Sequence, residues 1–228
     1  MWLHKALSAA FTCAVLASAP AGAVSFTANS GSWTLGSGWG PACLNTPNCD
    51  PTDDFLNVDW GIDLGFPQNF NLTNPNDSFT FTFGSAIWSE EDNQIAASET
   101  NNLGVTGILS FTAPTSTGVN NIAVVIATTG STNDSAVDLS VSFAPVLVNF
   151  GAGNTGQFKV DLSDSTWDCN PGGACLGSPG ESNTISATVT LIQLPHDDGN
   201  GTIPEPATLA LLGIGLAGLG FSRRGKLS

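Results

Sequence analysis

Alternation with a period of two runs through the middle of this chain and fixes its structural class. Ser78-Phe79-Thr80-Phe81-Thr82-Phe83 puts three phenylalanines on one side of an extended backbone and three hydroxyls on the other. That is the pattern of a strand with one face buried and one in water. The stretches Asp138 to Phe143 and Thr184 to Leu191 repeat it, and Phe55 to Leu64, Val105 to Thr112, Val146 to Phe150 and Gln157 to Leu162 supply further predicted strands. Ile122 to Ala127 is an unbroken apolar run rich in β-branched residues, which suits a central strand covered on both faces. Turn chemistry lies between these runs, at Asn74-Pro75-Asn76-Asp77, Ala113-Pro114, Thr129-Gly130 and Gly151-Ala152-Gly153-Asn154. No stretch between the two ends of the chain has amphipathic helical spacing. Many short strands with polar turns predict an all-β fold, an antiparallel β-sandwich of jelly-roll-like form.

The two ends carry different signals. Lys5, the apolar run Ala6 to Ala17 and the small-residue site Ala21-Gly22-Ala23 form a signal peptide over residues 1–23. Cleavage after Ala19 would leave Pro20 beside the scissile bond, so the mature chain is expected to begin at Val24. At the other end, Ala207 to Phe221 is fifteen residues without a charge. As a helix it reaches roughly 22 Å against a hydrocarbon core of about 30 Å, and snorkelling flanks and local thinning make up the difference. Arg223, Arg224 and Lys226 follow it and hold the C-terminus in the cytoplasm with the body outside. Pro204 and Pro206 cannot sit inside a helix, so they mark its start.

The order of these parts, Pro204-Glu205-Pro206, a single apolar helix and a short basic tail, resembles the PEP-CTERM sorting signal of Gram-negative envelope and exopolysaccharide-associated proteins. The resemblance is confined to the tail. It implies export through the Sec translocon, transient anchoring in the inner membrane and removal of the tail near Pro204-Glu205-Pro206 by an exosortase. The body would then remain at the cell surface or in the extracellular matrix, associated with exopolysaccharide and biofilm. A permanent single-pass anchor is the alternative. The chain thus divides into the signal peptide, a β domain over residues 24–195, a polar linker over 196–203 and the sorting signal over 204–228.

Charge narrows the partners. Between Val24 and Ile203 stand 18 acidic residues and one base, Lys159, a formal charge of −17. Such a body repels phosphate backbones and anionic lipids, which excludes nucleic-acid binding, and it can attract divalent cations. The densest run of oxygen ligands is Asp50, Asp53, Asp54 and Asp59, a candidate calcium site that lacks the glycine and glutamate of an EF-hand loop. A solvated acidic loop is the alternative there.

Four cysteines follow the signal peptide in two pairs of equal spacing, Cys43 with Cys49 and Cys169 with Cys175. Pro-containing turns lie inside each pair, so the two local disulfides are the favoured connectivity of the three available. Each would stabilise by about 2 kcal/mol; a zinc site and a redox-active pair are the weaker readings. Trp39 and Trp167 lie near these loops and could stack on sugar rings if exposed, or pack in the core if not.

Catalysis has little to stand on. His4 falls in the signal peptide and His196 in the linker, so neither histidine-based triads nor histidine zinc sites can be built in the domain. Paired carboxylates drawn from Glu90, Glu91 and Glu99 would allow a polysaccharide hydrolase. Gly151-x-Gly153-x-x-Gly156 fits a dinucleotide pattern only formally, because it joins two strands. The expected function is that of a non-catalytic surface or matrix protein with no cofactor. A carbohydrate- or calcium-binding adhesion module is the first alternative, and a hydrolase the second.

Overall fold

The computed structural model describes residues 22–43, 54–89, 94–169 and 180–196. Among them the chain forms, in order, β1 (Val24–Leu35), β2 (Trp39–Gly40), β3 (Leu56–Ile62), β4 (Gln68–Leu72), β5 (Ser78–Trp88), β6 (Gln94–Ile95) and β7 (Val105–Ala113). It continues with β8 (Thr117–Ala127), β9 (Gly130–Ser131), β10 (Leu139–Phe143), β11 (Val146–Phe150), β12 (Gly156–Leu162), β13 (Ser165–Trp167) and β14 (Glu181–Gln193). The only helical turn among the described residues is a 3₁₀ turn at Ala152–Asn154. It closes the β11–β12 hairpin, so the glycine pattern there is a strand connection.

Two six-stranded sheets carry the fold, in the orders β13-β10-β8-β7-β1-β4 and β11-β12-β14-β5-β3-β2, while β6 and β9 pair as a short ribbon. All pairings are antiparallel except β2 with β3. The protein is therefore all-β, with two antiparallel-rich layers. In one respect the order differs from a jelly roll: β7, β8 and β10 succeed one another as sheet neighbours, a meander.

The layers meet over aromatic side chains. Phe26 of β1 stacks on Phe70 at 5.1 Å and meets Phe158 of the other sheet edge-on at 5.2 Å. Phe158 also meets Phe111 at 5.3 Å, and Phe70 stacks on Phe79 at 4.4 Å. The alternation of β5 does what its sequence dictates: Phe81 and Phe83 are buried and Phe79 half-buried, while Thr80 and Thr82 face water. Each such ring contributes roughly 1.5–3 kcal/mol by leaving water, with edge-to-face contacts adding to it. Asn121 of β8 is buried between the sheets, where its Nδ2 donates to Ala144 O at 3.2 Å and Val160 O at 3.1 Å. It ties the layers where the chain crosses from β10 to β11.

Register fixes two opposite poles. Val24 pairs with Leu72, and Gln157 with Gln193, at the end where Phe26 touches Phe150 and Phe158. The described body thus begins and ends at one pole. Trp88 pairs with Glu181 and Val58, Leu139 with Ala127 and Trp167, and Leu35 with Val105, at the other.

One strand expectation is corrected, and one strand was not expected. β8 lies inside its sheet but is not covered on both faces: Ile122, Val124 and Ile126 are 64, 66 and 60 % exposed. A two-layer sandwich covers one face of each strand, and here Val119, Asn121, Ala123 and Val125 occupy it. β1, the twelve-residue strand at the start of the domain, is hidden in the sequence. Its Asn-Ser-Gly-Ser segment is polar, and a bulge near Ala28 and Ser30 breaks the alternation.

Candidate functional site

The pole away from the termini of the domain is where chemistry-bearing residues gather. Cys43 and Cys169 are both buried there, and each is disulfide-bonded. Their expected partners, Cys49 and Cys175, lie outside the described residues. Each cysteine segment is held by a carboxylate, Asp59 from within β3 and Asp138 from just before β10. Ala42 N–H donates to Asp59 Oδ1 at 3.3 Å, and Cys43 N–H to Ser89 O at 3.0 Å. On the other side Cys169 N–H donates to Asp138 Oδ2 at 2.9 Å, while Asp138 N–H donates to Trp167 O at 3.0 Å. Asp59 and Asp138 thus organise backbone, a use that sequence spacing does not reveal, because the partners are 17 and 31 residues away.

Acidity is concentrated at the same place. Burial pushes the Asp138 carboxyl above its ordinary range, against the lowering effect of the Cys169 N–H, and the charges of Asp168 and Asp134 add to the rise. Glu181 is raised chiefly by burial and then by Asp168 and Asp138. Asp138, Asp168 and Glu181 therefore share one electrostatic environment. Asp77, in the exposed turn at the opposite pole, is lowered because its Oδ2 accepts from Asn74 N–H at 2.8 Å and Thr73 N–H at 3.0 Å.

The tryptophan expectation is corrected in part. Trp167 is 0 % exposed and fills the core beside β10, so it offers no ring face to a glycan. Trp39 is half-buried; its Nε1 donates to Gly104 O at 3.1 Å and its ring meets Trp60 edge-on at 5.3 Å. Trp60 in turn meets Trp33 at 5.1 Å, making an aromatic ladder along one flank of the sandwich. Of the candidate calcium ligands, Asp50 and Asp53 lie outside the described residues, Asp54 is exposed, and Asp59 is engaged by Ala42. Among the described residues no three His, Cys, Asp or Glu side chains converge as a metal site. Glu90 and Glu91 lie outside the described residues, and Glu99 is buried, accepting from Ala96 N–H within a turn.

At the last of the described residues, Thr155 Oγ1 accepts from His196 N–H at 3.0 Å and lies 2.7 Å from His196 O, which pins His196 beside the 3₁₀ turn. Residues 1–21 and the tail with Pro204, Glu205, Pro206, Arg223, Arg224 and Lys226 lie outside the described residues. Among the described residues no helix is long and apolar enough to cross a membrane. Residues 202–224 match the PEP-CTERM protein-sorting motif, about a tenth of the chain. The tail therefore carries that motif, which implies export, processing by an exosortase and surface localisation. No curated protein and no solved structure matches the chain.

Proposed function

We propose that this is a non-catalytic β-sandwich protein that an exosortase detaches from the inner membrane and delivers to the cell surface or matrix. The sorting match over residues 202–224 carries the reading. In it, Sec exports the chain, residues 1–23 are removed, the Ala207–Phe221 helix anchors the rest transiently, and cleavage falls near Pro204-Glu205-Pro206. The basic residues Arg223, Arg224 and Lys226 hold the tail on the cytoplasmic side. Association of the released body with exopolysaccharide and biofilm belongs to the same proposal.

The geometry of the domain supports it. Val24 is the first residue of β1, and His196 is fastened at the same pole. Ten residues separate His196 from Ala207, at most about 36 Å of extended chain. The sorting motif can therefore reach the membrane while the cysteine-bearing pole points away from it. Cys43–Cys49 and Cys169–Cys175 are the proposed pairings, formed in the oxidising compartment that export supplies. A role without catalysis fits Asp138, whose carboxylate is occupied by Cys169 N–H, and His196, which lies at the remote pole.

Intact mass measured without reduction, on protein from the envelope and the medium of the native host, tests the proposal. The expected mass runs from Val24 to the Pro204–Pro206 region, less four hydrogens for two disulfides. A mass running from Val24 to Ser228, found only in membranes, would overturn the processing and leave a permanent anchor.

A further inference from the structure

A second feature of the cysteine-bearing pole is an open notch of about 350 Å³ beside β3, lined by Ser37, Asp54, Phe55, Ser98, Asn101 and Asn102. Its size is at the lower end for a small-molecule site. Its lining includes two carboxamides, two hydroxyls, one carboxylate and one aromatic ring. Phe55 is 43 % exposed and borders the notch.

The walls are held rigidly. Gly38 N–H donates to Asn102 O at 3.3 Å and Leu56 N–H to Gly38 O at 3.0 Å, which locks the Ser37–Gly38 segment between the two other walls. A Cβ on Gly38 would lie 1.9 Å from Asn101 O, so only glycine permits this approach. Asn101 Nδ2 donates to Ser98 O at 3.0 Å, fixing that amide and leaving its oxygen as an acceptor. Asn102 has φ 58, a left-handed conformation that asparagine tolerates, and its exposed side chain is carried at the notch by that turn.

From this lining we infer that the notch binds a neutral hexose unit of a polysaccharide. Sugars present an apolar C–H face that lies on an aromatic ring and a rim of hydroxyls that need both donors and acceptors. Phe55 supplies the ring, Asn101, Asn102, Ser37 and Ser98 supply both kinds of polar group, and Asp54 accepts from paired hydroxyls. Asp54 and the −17 charge of the body select against uronic acids and other anionic sugars. The site rests on the notch alone and stands whether or not the tail is removed.

The test uses the full chain in a detergent without a sugar headgroup, titrated with cellotetraose, mannotetraose and a tetragalacturonate while amide shifts are followed by NMR. At least one neutral tetrasaccharide is expected to shift the Ser98–Asn102 amides, and the tetragalacturonate is not. Asn102→Gly keeps the left-handed backbone and removes only the amide, so it should weaken binding about tenfold with the unfolding temperature unchanged. Phe55→Leu should do the same by removing the ring face, and Asp54→Asn should relax the rejection of the acidic sugar. Absence of any shift with both neutral sugars, or binding indifferent to Asn102→Gly and Phe55→Leu, overturns the inference. Mass spectrometry decides the fate of the tail separately, so either proposal can fail without the other.

Discussion

The two poles of the sandwich share a buried apolar core and differ in what is added to it. At the pole where the domain begins and ends, Phe26, Phe70, Phe111, Phe150 and Phe158 interlock across the sheets, and tight hairpins close the strands. At the opposite pole the buried inventory includes Asn57, Ser89, Glu99, Thr132 and Asp138, with Cys43 and Cys169. The first pole is held by apolar area, which tolerates little change in shape. The second buries Trp88, Trp167 and Leu139 as well, and adds hydrogen bonds between Asp59, Ser89 and Asp138 and irregular segments, which fix a backbone without prescribing the side chains around it. Binding surfaces can vary at such a pole while the core stays constant.

Three experiments break or sharpen that contrast. The largest effect is expected from Phe158→Ala, which removes a fully buried ring in contact with Phe26, Phe111 and Phe150. Denaturant unfolding should show a loss of about 3–5 kcal/mol. A loss below about 1 kcal/mol would mean that the aromatic pole does not carry the stability assigned to it. Reduction of the disulfides is expected to cost about 2 kcal/mol per bond. Hydrogen exchange should then accelerate at Ala42, Cys43 and Cys169 and remain slow at Phe26 and Phe158. Uniform acceleration would erase the distinction between the poles.

The smallest effect is in pH. The folded carboxyls of Asp138 and Glu181 are raised, so the folded chain binds protons more tightly than the unfolded one. Their stabilising contribution is complete below the ordinary carboxylate range and is lost as pH rises through the raised values. Asp77 is lowered, and its contribution is lost only when pH falls through its depressed value. The unfolding temperature should therefore rise as pH drops from neutral toward the ordinary carboxylate range, helped by the falling negative charge. Asp138→Asn keeps an acceptor for Cys169 N–H and should flatten that rise. An unchanged profile would place the linkage elsewhere.

Most strands were legible because a half-buried strand writes its burial into every second residue, as Phe79, Phe81 and Phe83 do. β1 was not, since its bulge shifts the phase and its outer residues are small and polar. The exposed Ile122, Val124 and Ile126 misled in the opposite direction, because a continuous apolar run does not say whether a second layer exists to cover it. Of the candidate site, the cysteines and the acids could be read, but not the use of Asp59 and Asp138 as acceptors for segments far away in the chain. Trp167 illustrates the same gap: an aromatic near a loop looks identical in sequence whether it points outward or into the core.

What the sequence determined by itself is whatever rests on local order: the period of two, and the proline pair, apolar run and basic tail of the sorting signal. An address of that kind is read as a linear segment, so no fold is needed to see it. Only the tertiary structure decided that the first and last described strands begin and end at one pole, that Cys43 and Cys169 share the other, and that Ser37, Phe55 and Asn102 meet in one notch. Those neighbours come from the pairing of strands distant in sequence, and pairing is settled by the packing of whole sheets, which no local window contains.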